Sequence, residues 1–593
     1  MAVDRMMLGL ARGLALAGGA VLLALVAMIC ASVAGSALAR LGVPGFGPVR
    51  AGYELAELGI AFVVFAFLPL AQLDRAHATV EVFAARLPRR ANAALGRIWA
   101  LGMAAVMLLI AWRLGAGTFA KRRDHVSAGA ADLVGLRGLL RGGLGGGSGD
   151  ALGCGPGAEM STLALGFASF PVLLLLIFAR APIGLAMFAV GAAGLTLATG
   201  SPAMVLARLK TESFSTFSSY SLAVIPMFLL MGQFATRGGM SRALFRAAGA
   251  WVGHWRGGLA MAAIAASAGF GAICGSSLAT AATMAQVALP ELKRAGYAGG
   301  FSVATLAAGG TLGILIPPSV VLVIYAILTE TNIAHLFLAA MVPGLLAALG
   351  YGAVIALYVR RHPEAAGSPM PREGKVRATL ALWPVAAIFA LVVGGIWGGW
   401  FTPTEGAAVG AAGTGLMAWA AGGLTLAGLR AALFETARAS AMIFFILLGA
   451  ALYNGFLAFA RVPQEMSDLV AGLGLGPFAV LGLILVFYLA LGCVMDSLSM
   501  ILLTIPIFWP LIAGLDFGLA PQHAAVWFGV LVLIVVEVGL ITPPVGMNLF
   551  VITAIDRSTN PAAAYGPVAW FVASDILRVL ALVAFPGIVL FLL

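Results

Sequence analysis

Charge is scarce in this sequence: Asp, Glu, Lys and Arg make up 10% of 593 residues, against 62% hydrophobic residues, where an ordinary soluble domain carries about 25% charge. That scarcity excludes a solvated globular chain. Apolar segments of roughly 15–25 residues recur along the whole length, as a hydrocarbon core ~30 Å thick requires of helices, and the alternation of barrel strands is missing. Cysteine is scarce as well. Cys30, Cys154, Cys274 and Cys493 are widely scattered with no CxxC, so neither a disulfide framework nor a cysteine metal site is expected. HExxH, a nucleophile elbow and paired aspartates on adjacent helices are also lacking, which argues against an intramembrane enzyme. The net charge of +11 does not signal nucleic acid: most basic residues sit in short loops between apolar runs, where they set topology by the positive-inside rule.

What is present divides into two parts. Residues 1–120 read as a small membrane domain with spans at about 14–34, 54–73 and 98–112. Arg5 and Arg12 precede an apolar run, Leu14 to Val33, too long for a simple signal-peptide core, so it reads as a retained first helix. The basic, amphipathic segment "QLDRAHATVEVFAARLPRRANAALGR" between the second and third spans reads as a cytosolic or interfacial helix, which places the amino terminus in the cytoplasm. Residues 121–160 are glycine-rich, carry Arg137 and Arg141, and read as a linker. "MSTLALGFASF", from Met160, looks like the start of a second protein, so the larger unit, 161–593, is expected to have joined the first by fusion.

Within that larger unit, proline appears where a membrane tolerates it least. "GILIPPS" (Gly313–Ser319) and "GLITPPV" (Gly539–Val545) each put a double proline inside an apolar stretch, although proline removes a backbone donor and clashes with the preceding turn. Each follows a polar, serine-bearing element: "GAICGSSLATAATMAQVALPEL" (271–292) and "LGCVMDSLSMILLTIPIFWPLI" (491–512) align so that Ser277 falls on Ser497 and Pro290 on Pro510. Two matched elements in one order indicate an internal duplication, with repeat 1 over 161–358 and repeat 2 over 378–593. The basic linker 359–377 lies between them.

Loop charges orient the copies. If Ser161 starts outside, Arg180, Arg237, Arg242, Arg246, Arg256, Lys293, Arg294, the 360–377 cluster, Arg430, Arg438 and Arg557 fall on one side; Arg208, Lys210 and Arg461 fall opposite. This holds only if the "SS" and "DS" segments are re-entrant hairpins, so that each copy crosses five times and the copies are inverted. Inverted repeats with broken helices are the architecture of secondary transporters. Non-helical backbone survives at that depth where it lines a cavity or is buried in protein. The breaks at Pro317-Pro318 and Pro543-Pro544 free carbonyls that can coordinate a hard cation such as Na⁺. The tips Gly275-Ser276-Ser277 and Asp496-Ser497 add hydroxyl and carboxylate oxygen, and the half-helix amino termini there favour a substrate carboxylate.

At these residues the sequence resembles the tripartite ATP-independent periplasmic (TRAP) transporters, in a form that fuses the small and large permease subunits. The resemblance rests on "GAICGSSLATAA...LPELKRAGY", "AAGGTLGILIPPS", "FTPTEGAAVGA", "MDSLSMILLTIPIFWP" and "GLITPPVGMN", and on "YELAELGIAFVVFAFLPLAQLDRAHATVEVF" for the small subunit. It implies an all-α polytopic inner-membrane protein. The implied activity is Na⁺-driven uptake of an organic acid delivered by a soluble periplasmic binding protein, with an elevator motion of the hairpin-bearing domain. By motif, Na⁺ falls around Ser276, Ser277, Gly313 and Ile316 in one half and Leu498, Gly539, Thr542 and Val545 in the other. Substrate falls at Gly275, Ser276, Ser277, Asp496 and Ser497. The family's small subunit normally has four membrane helices; here a glycine-rich stretch, about 125–155, stands in place of the fourth.

Three acidic residues stand out singly. Asp496, at a tip in an apolar setting where a midplane carboxylate is costly, reads as an ion or substrate group. Glu405 in "TPTEGAAVGA" fits helix capping and transport equally, and Glu537, two residues before Gly539, either finds a partner or faces the site. The polar segment "LARLKTESFSTFSSYS" (206–221) suits a binding-protein dock and a plain exposed loop equally well. An autonomous ion-coupled anion transporter is the alternative function, and a channel belongs to a further class.

Overall fold

The computed structural model describes residues 2–79, 88–134, 156–369 and 374–593, and every regular element among them is helical. Among the described residues, seven helices are long and apolar enough to cross a membrane, or up to nine if each of two bent pairs counts as one span. The centre of the expected interfacial helix (80–87), the glycine-rich 135–155 with Arg137, Arg141 and Cys154, and 370–373 of the basic linker lie outside the described residues.

Two compact units interleave along the chain. One takes Met1–Ala76, Ser218–Ile443 and Ser467–Leu593; the other takes His77–Phe217 and Phe444–Met466.

In the smaller unit the third expected span lies in a longer helix, Arg89–Val134, and the next, Pro156–Phe178, begins ahead of Met160. Ile183–Thr199 follows, and packs through glycine. A Cβ on Gly191 would come 2.8 Å from the Tyr453 backbone, so side-chain-free faces set helix approach here as small residues do in membranes generally. Ser169 Oγ lies 2.9 Å from the Tyr453 hydroxyl. The 206–221 segment is not a loop: Ala203–Phe217 is helical. Val205, Leu209, Ser213 and Phe217 recur every fourth residue and are buried on one face, a periodicity its polar residues obscure.

In the larger unit, Ala2–Arg40 and Gly52–Leu73 pack along one another. Cβ atoms on Gly18 and Gly59 would fall 2.8 Å from Ala66 and 2.7 Å from Leu25. Asp74, just beyond the second helix, accepts from Arg438 Nε at 2.7 Å.

The duplicated elements sit in the same unit. Gly258–Cys274 and Ser277–Arg294 form the first helix pair, followed by Gly299–Leu315 and Val320–Leu328. Pro477–Gly492 and Ser497–Ala513 form the second pair, followed by Pro521–Ile541 and Met547–Ile555. The four hairpin arms have 16–18 residues, about 24–27 Å at a rise of ~1.5 Å per residue. That is short of the ~30 Å core.

Candidate functional site

Both tips are built by the same local chemistry. The first arm of hairpin 1 ends at Gly275, whose φ of 63° is left-handed and suits glycine. Ser276 then caps the second arm: its Oγ accepts from the Ala279 N–H at 3.4 Å. In hairpin 2 Asp496 holds the equivalent place, with Oδ2 accepting from the Ser499 N–H at 3.0 Å. One side-chain oxygen at each tip therefore satisfies an otherwise orphan helical donor. The Asp496 carboxylate serves its own helix as a cap, a role the sequence reading did not weigh.

Each tip meets its own double-proline break through glycine on glycine. A Cβ on Gly271 would lie 2.5 Å from Gly313 Cα, and one on Gly539 would lie 2.5 Å from Gly492 Cα, so backbone approaches backbone with no room for a methyl group. The Ser276 carbonyl lies beside Gly313, where a Cβ would be 2.8 Å away, and the Pro318 carbonyl beside Gly275, 3.0 Å from a Cβ there. Gly275, Ser276 and Gly313 are thus brought together; Ile316 follows as the extended cap residue (φ −91°, ψ 118°), its N–H donating to the Leu312 carbonyl.

Proline explains the free oxygen. The carbonyls of Gly313 and Ile314 would accept from residues 317 and 318 in an unbroken helix, but both are proline and carry no N–H. The helix turns by 46° at this point, and Ser319 caps the second piece by accepting from the Leu322 N–H at 3.4 Å. In the second half, Thr542 ends the helix (ψ 133°), its hydroxyl donating to Val538 O at 2.6 Å. Val545 precedes Gly546, whose φ of 57° starts the next helix. Leu498 follows Ser497 at the second tip.

Sequence reasoning missed what crosses between the halves. Asn548, fully buried, donates through Nδ2 to Ser277 Oγ at 3.1 Å and to Ala307 O at 3.2 Å. Glu537 was singled out from sequence as a group that finds a partner or faces the site; it is 3% exposed and both its oxygens lack a hydrogen bond, with the Ser277 and Ser497 hydroxyls facing it. Further along, Tyr351 OH lies 3.0 Å from Thr311 Oγ1 and donates to Asp575 Oδ2 at 2.7 Å, while Arg578 Nη2 sits 2.8 Å from Asp575 Oδ1. Asp575 and Arg578 carry a usable signal, an acid and a base three apart in an apolar helix. Asn548 carries a weaker one, a single amide just past a break.

Two other charges have plain partners. Glu405 closes a capping box: its Oε2 accepts from the Thr402 N–H at 2.8 Å, and the Thr402 hydroxyl accepts from the Glu405 N–H at 3.3 Å. Lys293, read from sequence as a topological loop charge, donates to Asp556 Oδ1 at 2.6 Å and Ser558 Oγ at 2.7 Å.

Residues 170–588 match the family described as "Tripartite ATP-independent periplasmic transporter, DctM component". The chain belongs to that family. This TRAP permease also carries the small component, since residues 25–133 match the description "Tripartite ATP-independent periplasmic transporters, DctQ component". Its relatives include the C4-dicarboxylate TRAP transporter large permease protein DctM of Pseudomonas aeruginosa, 39% identical over 58% of this chain and 80% of the relative. The isethionate TRAP transporter permease protein DctMQ of Oleidesulfovibrio alaskensis is 32% identical over 58% of this chain and 53% of its own length. Among solved structures, the Alcanivorax borkumensis YdaH transporter shares the fold, with a TM-score of 0.50 at 12% identity over 73% of this chain and 98% of that one. The TRAP permease is a multi-pass transport protein and not an enzyme.

Proposed function

We propose that this TRAP permease imports an organic acid across the bacterial inner membrane by Na⁺ symport, receiving it from a periplasmic substrate-binding protein and moving it by elevator-type alternating access, with its amino terminus in the cytoplasm. The observation that carries the reading is the repeated unit itself: in each half, a capped tip packs glycine on glycine against a double-proline break. Na⁺ is a hard cation that takes oxygen ligands. The prolines deny the break carbonyls their helical donors, and the Gly539 carbonyl, which accepts from the Thr542 N–H at 3.1 Å, keeps a second lone pair, so Na⁺ is assigned to Ser276, Ser277, Gly313 and Ile316 and to Leu498, Gly539, Thr542 and Val545.

The substrate anion is assigned to Gly275, Ser276, Ser277, Asp496 and Ser497, where two half-helix amino termini converge their positive ends on a carboxylate. The names of the relatives, one for C4-dicarboxylates and one for isethionate, support a small organic anion as cargo. Uptake of a radiolabelled acid panel into proteoliposomes tests the whole reading. The expected result is accumulation that needs both an inward Na⁺ gradient and one binding protein. Uptake indifferent to Na⁺ removes the symport assignment, and full-rate uptake without any binding protein makes the permease an autonomous anion transporter.

A further inference from the structure

Glu537 occupies a position that sets the two halves apart. It stands two residues before Gly539; Thr311, two residues before Gly313, holds the same place in the first half. Thr311 is neutral and lies 3.0 Å from the Tyr351 hydroxyl. Glu537 carries a carboxylate, 3% exposed, with no hydrogen bond to either oxygen.

The groups around Glu537 bring oxygen without a cation. The hydroxyls of Ser277 and Ser497, the first helical residue beyond each tip, face it. Asn548 spends both observed hydrogen bonds through its Nδ2, one of them on Ser277 Oγ itself, which leaves its Oδ1 buried beside that hydroxyl with no partner. Asp575 also faces Glu537, but its charge is met by Arg578 at 2.8 Å. An unpaired buried carboxylate is costly unless something positive joins it, and a carboxylate with hydroxyl and amide oxygens gathered beside it can form the shell of a hard cation.

We propose that Glu537, with Ser277, Ser497 and Asn548, holds one further hard monovalent cation such as Na⁺ between the two hairpin tips, centred on the Glu537 carboxylate and adjoining the carbonyl sites at the double-proline breaks, with Ser277 shared between it and the first of them. Its oxygens come from both halves, so the ion is held only when both tips are in place, and occupancy in turn fixes the tips together. The choice of Na⁺ rests on the symport reading; the need for a cation does not.

The test uses the full-length protein in detergent, without substrate or binding protein. Its thermal unfolding midpoint is followed against NaCl, with choline chloride holding ionic strength constant. Wild type is expected to be stabilised by Na⁺. Glu537→Gln, which keeps the shape and removes the charge, is expected to need at least about tenfold more Na⁺ for the same gain. Glu537→Asp, which keeps the charge and draws it back by one methylene, falls between them and carries the test if the Gln variant does not fold. Na⁺ curves for the variants that superpose on wild type overturn the proposal. So does a wild-type midpoint that follows pH and ignores Na⁺, which would make a proton the occupant. Proteoliposome uptake separates this inference from the transport reading. Na⁺-independent uptake with intact Na⁺ stabilisation through Glu537 removes the symporter and keeps the site; Na⁺-dependent uptake with unchanged variant curves does the reverse.

Discussion

Lys293 Nζ lies 2.6 Å from Asp556 Oδ1 and joins the end of the first hairpin to the loop behind the second broken helix. Burial alone would raise the pKa of Asp556, but the Lys293 ammonium and the hydroxyls of Thr559 and Ser558 outweigh it and hold the carboxyl well below its usual range. A folded-state pKa below the unfolded value of ~3.9 gives stability that is complete above that value and is lost as pH falls through the folded one. Asp556→Asn is therefore expected to cost about 1–3 kcal/mol at neutral pH, the worth of charge-assisted hydrogen bonds. The gap from wild type should hold between about pH 5 and 8 and narrow below about pH 4, read as unfolding midpoints in detergent; a gap that widens in acid would reverse the assignment.

Gly271→Ala and Gly492→Ala each place a methyl group against opposing backbone, 2.5 and 2.9 Å from a Cα. Such overpacking costs about 1–3 kcal/mol. It also pushes a tip off its break, so uptake in proteoliposomes should fall at least about tenfold. Gly482→Ala is the control, with nothing within 4 Å of the new atom, and should transport at the wild-type rate.

At Asp496 two substitutions separate two roles. Asparagine caps a helix as well as aspartate, whereas alanine costs about 0.5–2 kcal/mol. Asp496→Asn should therefore melt like wild type and Asp496→Ala below it. With the carboxylate in the transport site, both should lose uptake. An Asn variant that transports normally would reduce Asp496 to its cap.

The Asp575–Arg578 pair, 1% and 10% exposed, is expected to show strong coupling. Removing either partner leaves a buried charge and costs about 3–5 kcal/mol, while replacing both with apolar residues is often close to neutral. A double-mutant cycle with Asp575→Leu and Arg578→Met should find the double variant more stable than either single one. Additive losses would show that the two residues are not coupled.

The duplicated elements were legible because their grammar is local: Gly275, Ser276, Asp496 and the double prolines state a tip, a cap and a break within a few residues. The family resemblance rested on those same words. The Asn548–Ser277 bond was not legible, since nothing near either residue signals a partner so far along the chain. Nor were the interleaved compact units, because composition marks the glycine-rich 121–160 stretch as a boundary and says nothing about which distant helices pack together. The helix at Ala203–Phe217 was hidden for another reason: its buried stripe includes Ser213, which reads as polar.

Asn548 lies 271 residues after Ser277 in the chain. At the ribosome's pace of about 5–20 residues per second, Ser277 is made on the order of 15–50 seconds before the amide that will hold it. Throughout that interval the hydroxyl of Ser277 exists in the chain without the amide that bonds to it in the finished structure. The duplication thus has an order in time: the first copy is complete in the chain before the residue of the second that bonds to its tip has been made.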